Sequence, residues 1–148
     1  MILNEVLRLY PPACFLLRYT KQKTSVGELS IPAGVETLLF ILSLHNDAKS
    51  WGDDVAQFKP ERFAEGVARS SNIIKENNYD NIQTPFYPFA WGPRICLGQS
   101  FAMMESKLAL AMILQHFSFE LSPSYTHAPS IGLALQPQYG APIILHRL

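Results

Sequence analysis

The chain has 148 residues, of which 48% are hydrophobic and 16% are charged, so it holds enough apolar material for one globular core. Its 12 basic residues (Lys and Arg) balance its 12 acidic ones, which predicts no nucleic-acid partner. Two cysteines are too few for a secreted disulfide framework, and no stretch approaches the ~20 apolar residues that span a bilayer.

Apolar spacing predicts a helix over 1–10, and Pro11 ends it because proline lacks the amide hydrogen that a helix needs. Three strands are predicted after this helix, at 15–20, 26–31 and 35–44. The third is an almost unbroken apolar run, which is typical of a strand covered on both faces. The segment His45-Asn46-Asp47 is predicted to cap a short helix that ends at Trp51-Gly52.

The second half of the chain alternates between polar and apolar segments. Polar residues dominate 64–81, which predicts a surface loop rather than a domain boundary. From Gly98 onward, apolar residues cover most of a helix circumference, so a long buried helix is predicted. Strands are predicted at 117–121 and 142–148, with a turn at 137–140. Together these elements predict a mixed α+β fold.

Cys96 lies two residues before Gly98, at the predicted start of the long helix. Unpaired amide N–H groups and the helix dipole at such a position favour a thiolate. A free cysteine is more often a buried small hydrophobe, and that interpretation stays open for Cys96 taken alone. A thiol nucleophile would need a base, which the neighbouring sequence does not supply. The four histidines do not show the spacing of zinc ligands.

The loop around this cysteine, FAWGPRICLG, places glycines, an aromatic residue and an arginine at fixed spacing. Glycine lets a backbone approach a flat partner closely, and arginine supplies a fixed cation. The pattern resembles the haem-binding loop of the cytochrome P450 superfamily, with five fixed positions matched: Phe89, Gly92, Arg94, Cys96 and Gly98. Five fixed positions recur by chance on the order of once in a million windows, so the motif is specific.

Two shorter motifs occur in the family's order. Glu5-x-x-Arg8 resembles the E-x-x-R of the helix that precedes the loop, and residues 60–63 resemble its PERF motif. Alone, Glu5 and Arg8 would be an ordinary exposed pair. The resemblance implies instead that Glu5, Arg8 and Arg62 form a salt-linked trio that fixes the loop beneath the haem. If buried, the trio must stay complete, because removing one member leaves a charge unpaired.

The resemblance implies haem b as cofactor, with the Cys96 thiolate as iron ligand and catalytic group. A thiolate ligand favours O–O cleavage, so the expected reaction inserts one oxygen atom of O2 into a C–H bond. Electrons would come from NADPH through a cytochrome P450 reductase. Arg94 and Arg18 are similar to family arginines that pair with the haem propionates, a task that suits a planar guanidinium. Phe89, Gly92 and Gly98 complete the implied cofactor site.

A small hydrophobic substrate is also implied. The C-terminal sequence resembles a plant branch that includes secologanin synthase-like enzymes, which oxidise terpenoid-derived molecules. Five residues match a segment that lines the substrate pocket in such enzymes: Ala13, Cys14, Phe15, Leu16 and Leu17. A hairpin at 135–139 resembles a second part of that pocket.

Enzymes of this superfamily run to several hundred residues and are mainly α. The resemblance therefore implies that 1–148 is the C-terminal portion of one P450 domain, incomplete at its N terminus. That portion would comprise the E-x-x-R helix, a small sheet, the haem loop, the long proximal helix and a terminal hairpin. An endoplasmic reticulum membrane location is implied for the full-length protein only. The alternative is an inactive fragment that keeps a haem-loop sequence without enough fold to hold haem.

Overall fold

The computed structural model describes residues 1–71 and 85–148. The helices are α1 (Ile2–Leu9), α2 (Ile41–His45), α3 (Ala48–Trp51) and α4 (Gln99–His116). The strands are β1 (Phe15–Tyr19), β2 (Thr24–Val26), β3 (Leu29–Ile31), β4 (Glu36–Phe40), β5 (Phe117–Leu121), β6 (Pro129–Ile131), β7 (Leu135–Pro137) and β8 (Ile143–Arg147). They pair antiparallel as β1–β4, β2–β3, β5–β8 and β6–β7, which confirms the mixed α+β prediction.

The first sheet is shorter than predicted, because β4 ends at Phe40 and the chain continues as helix α2. The prediction of a strand over 35–44 is therefore wrong in its second part. A short apolar run does not by itself distinguish a buried strand from a buried helix. Here Ile41 and His45, four residues apart on one helix face, are both buried, and the Leu42 amide donates to the Cys14 carbonyl at 3.1 Å.

The predicted strand over 26–31 is also wrong, since it contains the turn of a hairpin. Val26 pairs with Leu29, and Gly27 has a φ of 58°. A positive φ is available to glycine at little cost, so this residue allows the two-residue connection between β2 and β3. The other predicted strands, at 15–20, 117–121 and 142–148, are present with similar bounds.

Helix α4 has the predicted position but not the predicted burial. It buries none of its side chains, and Phe101, Met104 and Leu108 are each more than 60% exposed. The described residues pack against only part of its circumference, so much of its apolar surface faces outward. The expectation of a helix buried on all sides is wrong for this chain.

The core lies between α1, α2, α3 and a 3-10 turn at Pro60–Phe63. Its apolar members are Cys14, Ile41, Trp51 and Phe63. As predicted, Asp47 caps α3, and its carboxylate accepts hydrogen bonds from the amides of Lys49 at 3.3 Å and Ser50 at 3.2 Å. Within the described ranges, no helix is long and apolar enough to cross a membrane.

A backbone hydrogen bond connects the C-terminal strands to the segment that follows α1. The Leu135 amide of β7 donates to the Pro12 carbonyl at 3.0 Å, and the turn predicted at 137–140 closes with Gly140 donating to the Pro137 carbonyl at 3.2 Å. Strand β6 was not predicted. Of the predicted loop 64–81, the described part holds a 3-10 turn at Val67–Arg69 and a buried Ser71, and 72–81 lies outside the described residues.

Candidate functional site

The cysteine loop is closed by its own backbone. The Cys96 amide donates to the Phe89 carbonyl at 2.9 Å, and the Ile95 amide donates to the Gly92 carbonyl at 3.1 Å across a 3-10 turn. Gly92 has a φ of 75°, which explains the need for glycine there. Cys96 is exposed, so the structure contradicts its interpretation as a buried hydrophobe. A Cβ at Gly98 would lie 3.8 Å from the Cys96 Sγ, so glycine keeps that side of the sulfur open.

Ala90 occupies an unusual conformation at the start of this loop. Its φ is 65°, a left-handed value that costs an L-residue about 1–2 kcal/mol. Its amide donates to the Tyr87 carbonyl at 3.0 Å, and that bond holds the turn. The loop therefore carries local strain next to its cysteine.

An apolar cleft of about 560 Å³ opens between α1, the cysteine loop and α4. Five of the residues predicted for cofactor or substrate line it: Ala13, Leu16, Phe89, Arg94 and Cys96. Sequence motifs did not identify the other lining residues, which are Leu3, Val6 and Leu7 of α1, Ala102, Met103 and Ser106 of α4, and Pro12, Pro88 and Ala90. The cleft thus presents one sulfur and one guanidinium among mostly apolar side chains.

Other predicted residues lie outside the lining of this cleft. Cys14 is 3% exposed, and burial raises the pKa of its thiol. Phe15 and Leu17 alternate with Leu16 along β1, so they point to the opposite face of the strand. Arg18 shares the Leu16 face and donates from Nη1 to the Leu17 carbonyl at 2.9 Å. Gly92 and Gly98 shape the loop without lining the cleft.

A smaller cleft of about 270 Å³ holds part of the predicted 135–139 hairpin. Leu135 and Pro137 line it together with Tyr10, Tyr125 and His127. The two tyrosine hydroxyls lie 3.1 Å and 2.8 Å from the nitrogens of the His127 ring. The hairpin therefore lies beside α1 but not in the cleft that holds Cys96.

The predicted trio of charges, Glu5, Arg8 and Arg62, comes together outside the lining of the cleft. Arg8 donates from Nε to Glu5 Oε2 at 2.9 Å and from Nη2 to Oε1 at 2.7 Å, and both side chains are fully buried. Arg62 Nε lies 3.5 Å from Glu5 Oε1. The Lys59 amide donates to the same oxygen at 3.0 Å. A buried carboxylate is thus balanced by two guanidiniums and an amide, as a buried charge requires.

Arg62 also joins this trio to a second acid. Its guanidinium donates to the Trp51 carbonyl at 2.8 Å and lies 2.6 Å from Asp54 Oδ1. Hydrogen bonds from Lys59 and Arg62 lower the pKa of Asp54 to about 2. Trp51 packs beneath Arg8, whose guanidinium carbon lies 5.2 Å from the ring centroid. Within the PERF motif, Arg62 is therefore the residue that connects Glu5 to Asp54.

His45 is the member of this region that the sequence did not reveal. It is fully buried, and its backbone carbonyl accepts a hydrogen bond from Arg8 Nη1 at 2.9 Å. Its ring lies 3.1 Å from the Arg8 carbonyl through Nδ1, and Nε2 accepts from the Tyr87 amide at 2.8 Å. Burial lowers the pKa of His45 to about 4. No motif marks this histidine, since its partners lie 37 and 42 residues away.

The architecture and the cysteine loop both have counterparts among known proteins. The family model described as Cytochrome P450 matches residues 1–141. The chain belongs to the cytochrome P450 family. This finding confirms the resemblance stated from the loop motif. Among residues 1–71 and 85–148 of this P450 chain, no group of three His, Cys, Asp or Glu side chains is arranged to hold a metal ion.

Curated plant relatives match over the whole chain. It is 56% identical to cytochrome P450 72A397 of Kalopanax septemlobus, 51% to 11-oxo-beta-amyrin 30-oxidase of Glycyrrhiza uralensis and 50% to 7-deoxyloganic acid hydroxylase of Catharanthus roseus. The chain spans 27% of the length of each of these relatives. Relatives from plants agree with the plant branch that the sequence predicted.

A solved P450 structure has the same fold. The retinoic acid-bound cyanobacterial CYP120A1 superimposes with a TM-score of 0.82 at 30% identity, over 99% of this chain and 32% of that one. The family implies haem, and the cleft has the chemistry that haem needs. A sulfur donor can bind iron, a guanidinium can pair with a propionate, and apolar walls suit a porphyrin face. The residues present fit the cofactor.

Proposed function

We propose that residues 1–148 form the C-terminal, haem-binding portion of a plant P450 monooxygenase, as one incomplete domain. The observation that carries this proposal is the cleft that brings Cys96 and Arg94 together among apolar walls. Cys96 is the proposed iron ligand. Haem ligated by a thiolate supplies the activation of O2 for inserting one oxygen atom into a C–H bond.

The side chains of this chain hold and orient the cofactor. Arg94 lines the cleft and is proposed to pair with a haem propionate. Arg18 is the proposed second partner, because it shares a strand face with Leu16, which lines the cleft. Phe89 provides an aromatic wall, and the glycines at 92 and 98 keep bulk away from the loop.

The buried charges behind the loop are proposed to keep its backbone in place. The Glu5 carboxylate lies 2.7 Å from the Arg8 guanidinium and 3.5 Å from the Arg62 guanidinium. These residues lie outside the lining of the cleft, so their proposed task is positioning rather than chemistry. Since a planar guanidinium makes several directed bonds, arginine suits this task better than lysine.

The proposed substrate is a small hydrophobic molecule of the terpenoid-derived class. Relatives named as an 11-oxo-beta-amyrin oxidase and a 7-deoxyloganic acid hydroxylase support this class. Ala13 and Leu16, which line the cleft beside the proposed haem site, are the proposed substrate contacts. Electrons are proposed to come from NADPH through a P450 reductase, and a complete protein is proposed to reside at the endoplasmic reticulum membrane.

A chimera tests the haem assignment. Residues 1–148 replace the matching 27% of the Glycyrrhiza uralensis 11-oxo-beta-amyrin 30-oxidase. The reduced, CO-bound chimera is expected to show the red-shifted Soret band of thiolate-ligated haem, and Cys96→Ser is expected to abolish it. Cys14→Ala is the matched control, since this second cysteine lies in the core and should leave the band in place. A histidine-type spectrum from the unsubstituted chimera would overturn the proposal.

A further inference from the structure

His45 bridges two segments that are distant in sequence. On one side, its Nδ1 lies 3.1 Å from the carbonyl oxygen of Arg8, in the helix that carries the buried charges. On the other side, its Nε2 accepts a hydrogen bond from the Tyr87 amide at 2.8 Å. The ring is fully buried and stacks on Phe86 at a centroid distance of 5.4 Å. A single side chain therefore joins α1 to the segment that leads into the cysteine loop.

The chemistry of the two partners decides the protonation of the ring. A carbonyl oxygen only accepts, so Nδ1 must carry the proton, and an amide N–H only donates, so Nε2 must be free to accept. Neutral histidine satisfies both partners with one rigid ring. Arg8 completes the link in the other direction, since its Nη1 donates to the His45 carbonyl at 2.9 Å. Arg8 and His45 thus hold each other through two reciprocal hydrogen bonds.

From Tyr87 the link runs on to the cysteine through the backbone. The Tyr87 amide is held by His45, and its carbonyl accepts from the Ala90 amide at 3.0 Å. Ala90 has the left-handed φ of 65° that begins the loop. Its neighbour Phe89 accepts from the Cys96 amide at 2.9 Å, which fixes the far end of the loop. Moving the Tyr87 backbone would therefore move the bonds that position Cys96.

We propose that His45 is a positioning residue for the cysteine loop, holding the backbone that sets the place of the Cys96 sulfur relative to α1. This inference deepens the proposed haem function and rests on it. The aromatic packing around Phe86 supports the role, because the ring contacts Trp51 at 6.4 Å and Phe63 at 5.0 Å between centroids. Phe86 thereby packs against the core, while His45 holds the backbone of the next residue, Tyr87.

Variants of the chimera separate positioning from simple core packing. His45→Phe keeps a ring against Phe86 but removes both side-chain hydrogen bonds. His45→Gln can place an amide oxygen toward the Tyr87 amide and restore that bond. Ile41→Ala is the matched control, since Ile41 lies in the same helix and is 3% exposed but makes no polar link to the loop. All three are compared with the unsubstituted chimera.

The first readout is the ratio of thiolate-ligated to other haem in the reduced, CO-bound spectrum. We expect His45→Phe to lower this ratio roughly fivefold or more, the size expected when a buried amide loses its partner. His45→Gln should recover part of the loss. Ile41→Ala should lower the urea unfolding midpoint yet keep the ratio per bound haem near that of the unsubstituted chimera. A ratio in His45→Phe equal to that in Ile41→Ala would overturn the positioning role.

The second readout does not depend on haem. Hydrogen–deuterium exchange of a peptide spanning 85–98 is measured in the haem-free chimera. We expect His45→Phe to accelerate exchange at the Tyr87 and Cys96 amides about fivefold or more relative to Ile41→Ala. Unchanged exchange would overturn the inference even if the haem assignment stands. Faster exchange without a thiolate-type spectrum in any variant would instead support the link while overturning the proposed haem function.

Discussion

The charged cluster behind the loop and the loop itself lie in opposite environments. Glu5, Arg8 and His45 are fully buried, and each is hydrogen-bonded to a neighbouring side chain or backbone group. Cys96, by contrast, is exposed, and the adjoining helix α4 buries none of its side chains. The charged cluster is thus enclosed by the fold, whereas Cys96 and the helix beside it are open to solvent. In the proposed site, the residues that position the loop are therefore separate from the residues that would contact haem.

The exposure of the cysteine loop and of α4 predicts the largest effect, which is a complete lack of product from the isolated chain. Mixed with haem, a reductase and 11-oxo-beta-amyrin, the isolated 148-residue chain should give no oxidised product, whereas the chimera should. The physical reason is that helix α4, which forms one wall of the cleft, also exposes apolar side chains, including Phe101 and Met112 at 64% and 56% exposure. Such surface is poorly tolerated by a soluble monomer, so size-exclusion chromatography should show aggregates of the isolated chain. Reductase-dependent turnover by that chain, lost in Cys96→Ser, would contradict this comparison.

The buried charged cluster predicts the next effect, at Arg8. Arg8→Ala in the chimera should destabilise it by about 3–5 kcal/mol and lower haem retention, because the buried Glu5 carboxylate would lose both of its Arg8 hydrogen bonds and keep, among the described residues, only Arg62 Nε at 3.5 Å and the Lys59 amide. Arg8→Lys should lower haem retention nearly as much, since lysine lacks the planar fork that bonds Glu5 and the His45 carbonyl. Urea unfolding and the haem-to-protein absorbance ratio measure the two effects.

An exposed arginine provides the control for this experiment. Arg69 lies 3.9 Å from Glu65, and their side chains are 72% and 67% exposed. Arg69→Ala should therefore change stability by less than about 1 kcal/mol. Full haem content in Arg8→Lys after purification would show that the buried pair has no role in holding the loop.

His45 predicts a smaller effect that depends on pH. Its pKa falls from 6.5 to about 4 on folding because burial disfavours the charged ring, with the nearby Arg8 charge acting in the same direction. The folded state thus favours the neutral ring. The contribution of neutral His45 to the free energy of unfolding is therefore fully present above pH 6.5 and is lost as pH falls toward 4. This difference between the pKa values of the unfolded and folded states corresponds to about 3 kcal/mol in the free energy of unfolding.

Urea midpoints of the chimera at pH 7, 5.5 and 4.5 test this linkage. His45→Phe should remove the part of the pH dependence that lies between 6.5 and 4. Asp54, whose pKa is lowered to about 2, should contribute only in a more acidic range, below its ordinary value of 3.8. An identical pH dependence in His45→Phe and the unsubstituted chimera would contradict the assignment of a neutral buried ring.

The sequence predicted the parts of this site that reside in local motifs. The loop from Phe89 to Gly98 was identified because its residues have fixed spacing, and the E-x-x-R and PERF motifs pointed to a trio that the structure brings together. The sequence did not reveal His45, because its partners Arg8 and Tyr87 lie 37 and 42 residues away and meet its ring only in the folded chain. Burial of α4 was predicted wrongly, since apolar composition shows that a helix needs a partner but not whether the chain provides it.

The smallest predicted effect concerns the strain in the loop. Ala90 has a φ of 65°, so Ala90→Gly removes the steric cost of a left-handed alanine but adds freedom to the unfolded chain. The first term is larger, and we expect a net stabilisation of about 0.5 kcal/mol in urea unfolding of the chimera. Ala64→Gly is the matched control, because Ala64 is exposed and has an ordinary φ of −62°. It should destabilise by about 0.4–1 kcal/mol, since only the unfolded-state term applies. Equal destabilisation by both substitutions would show that the left-handed alanine carries no strain.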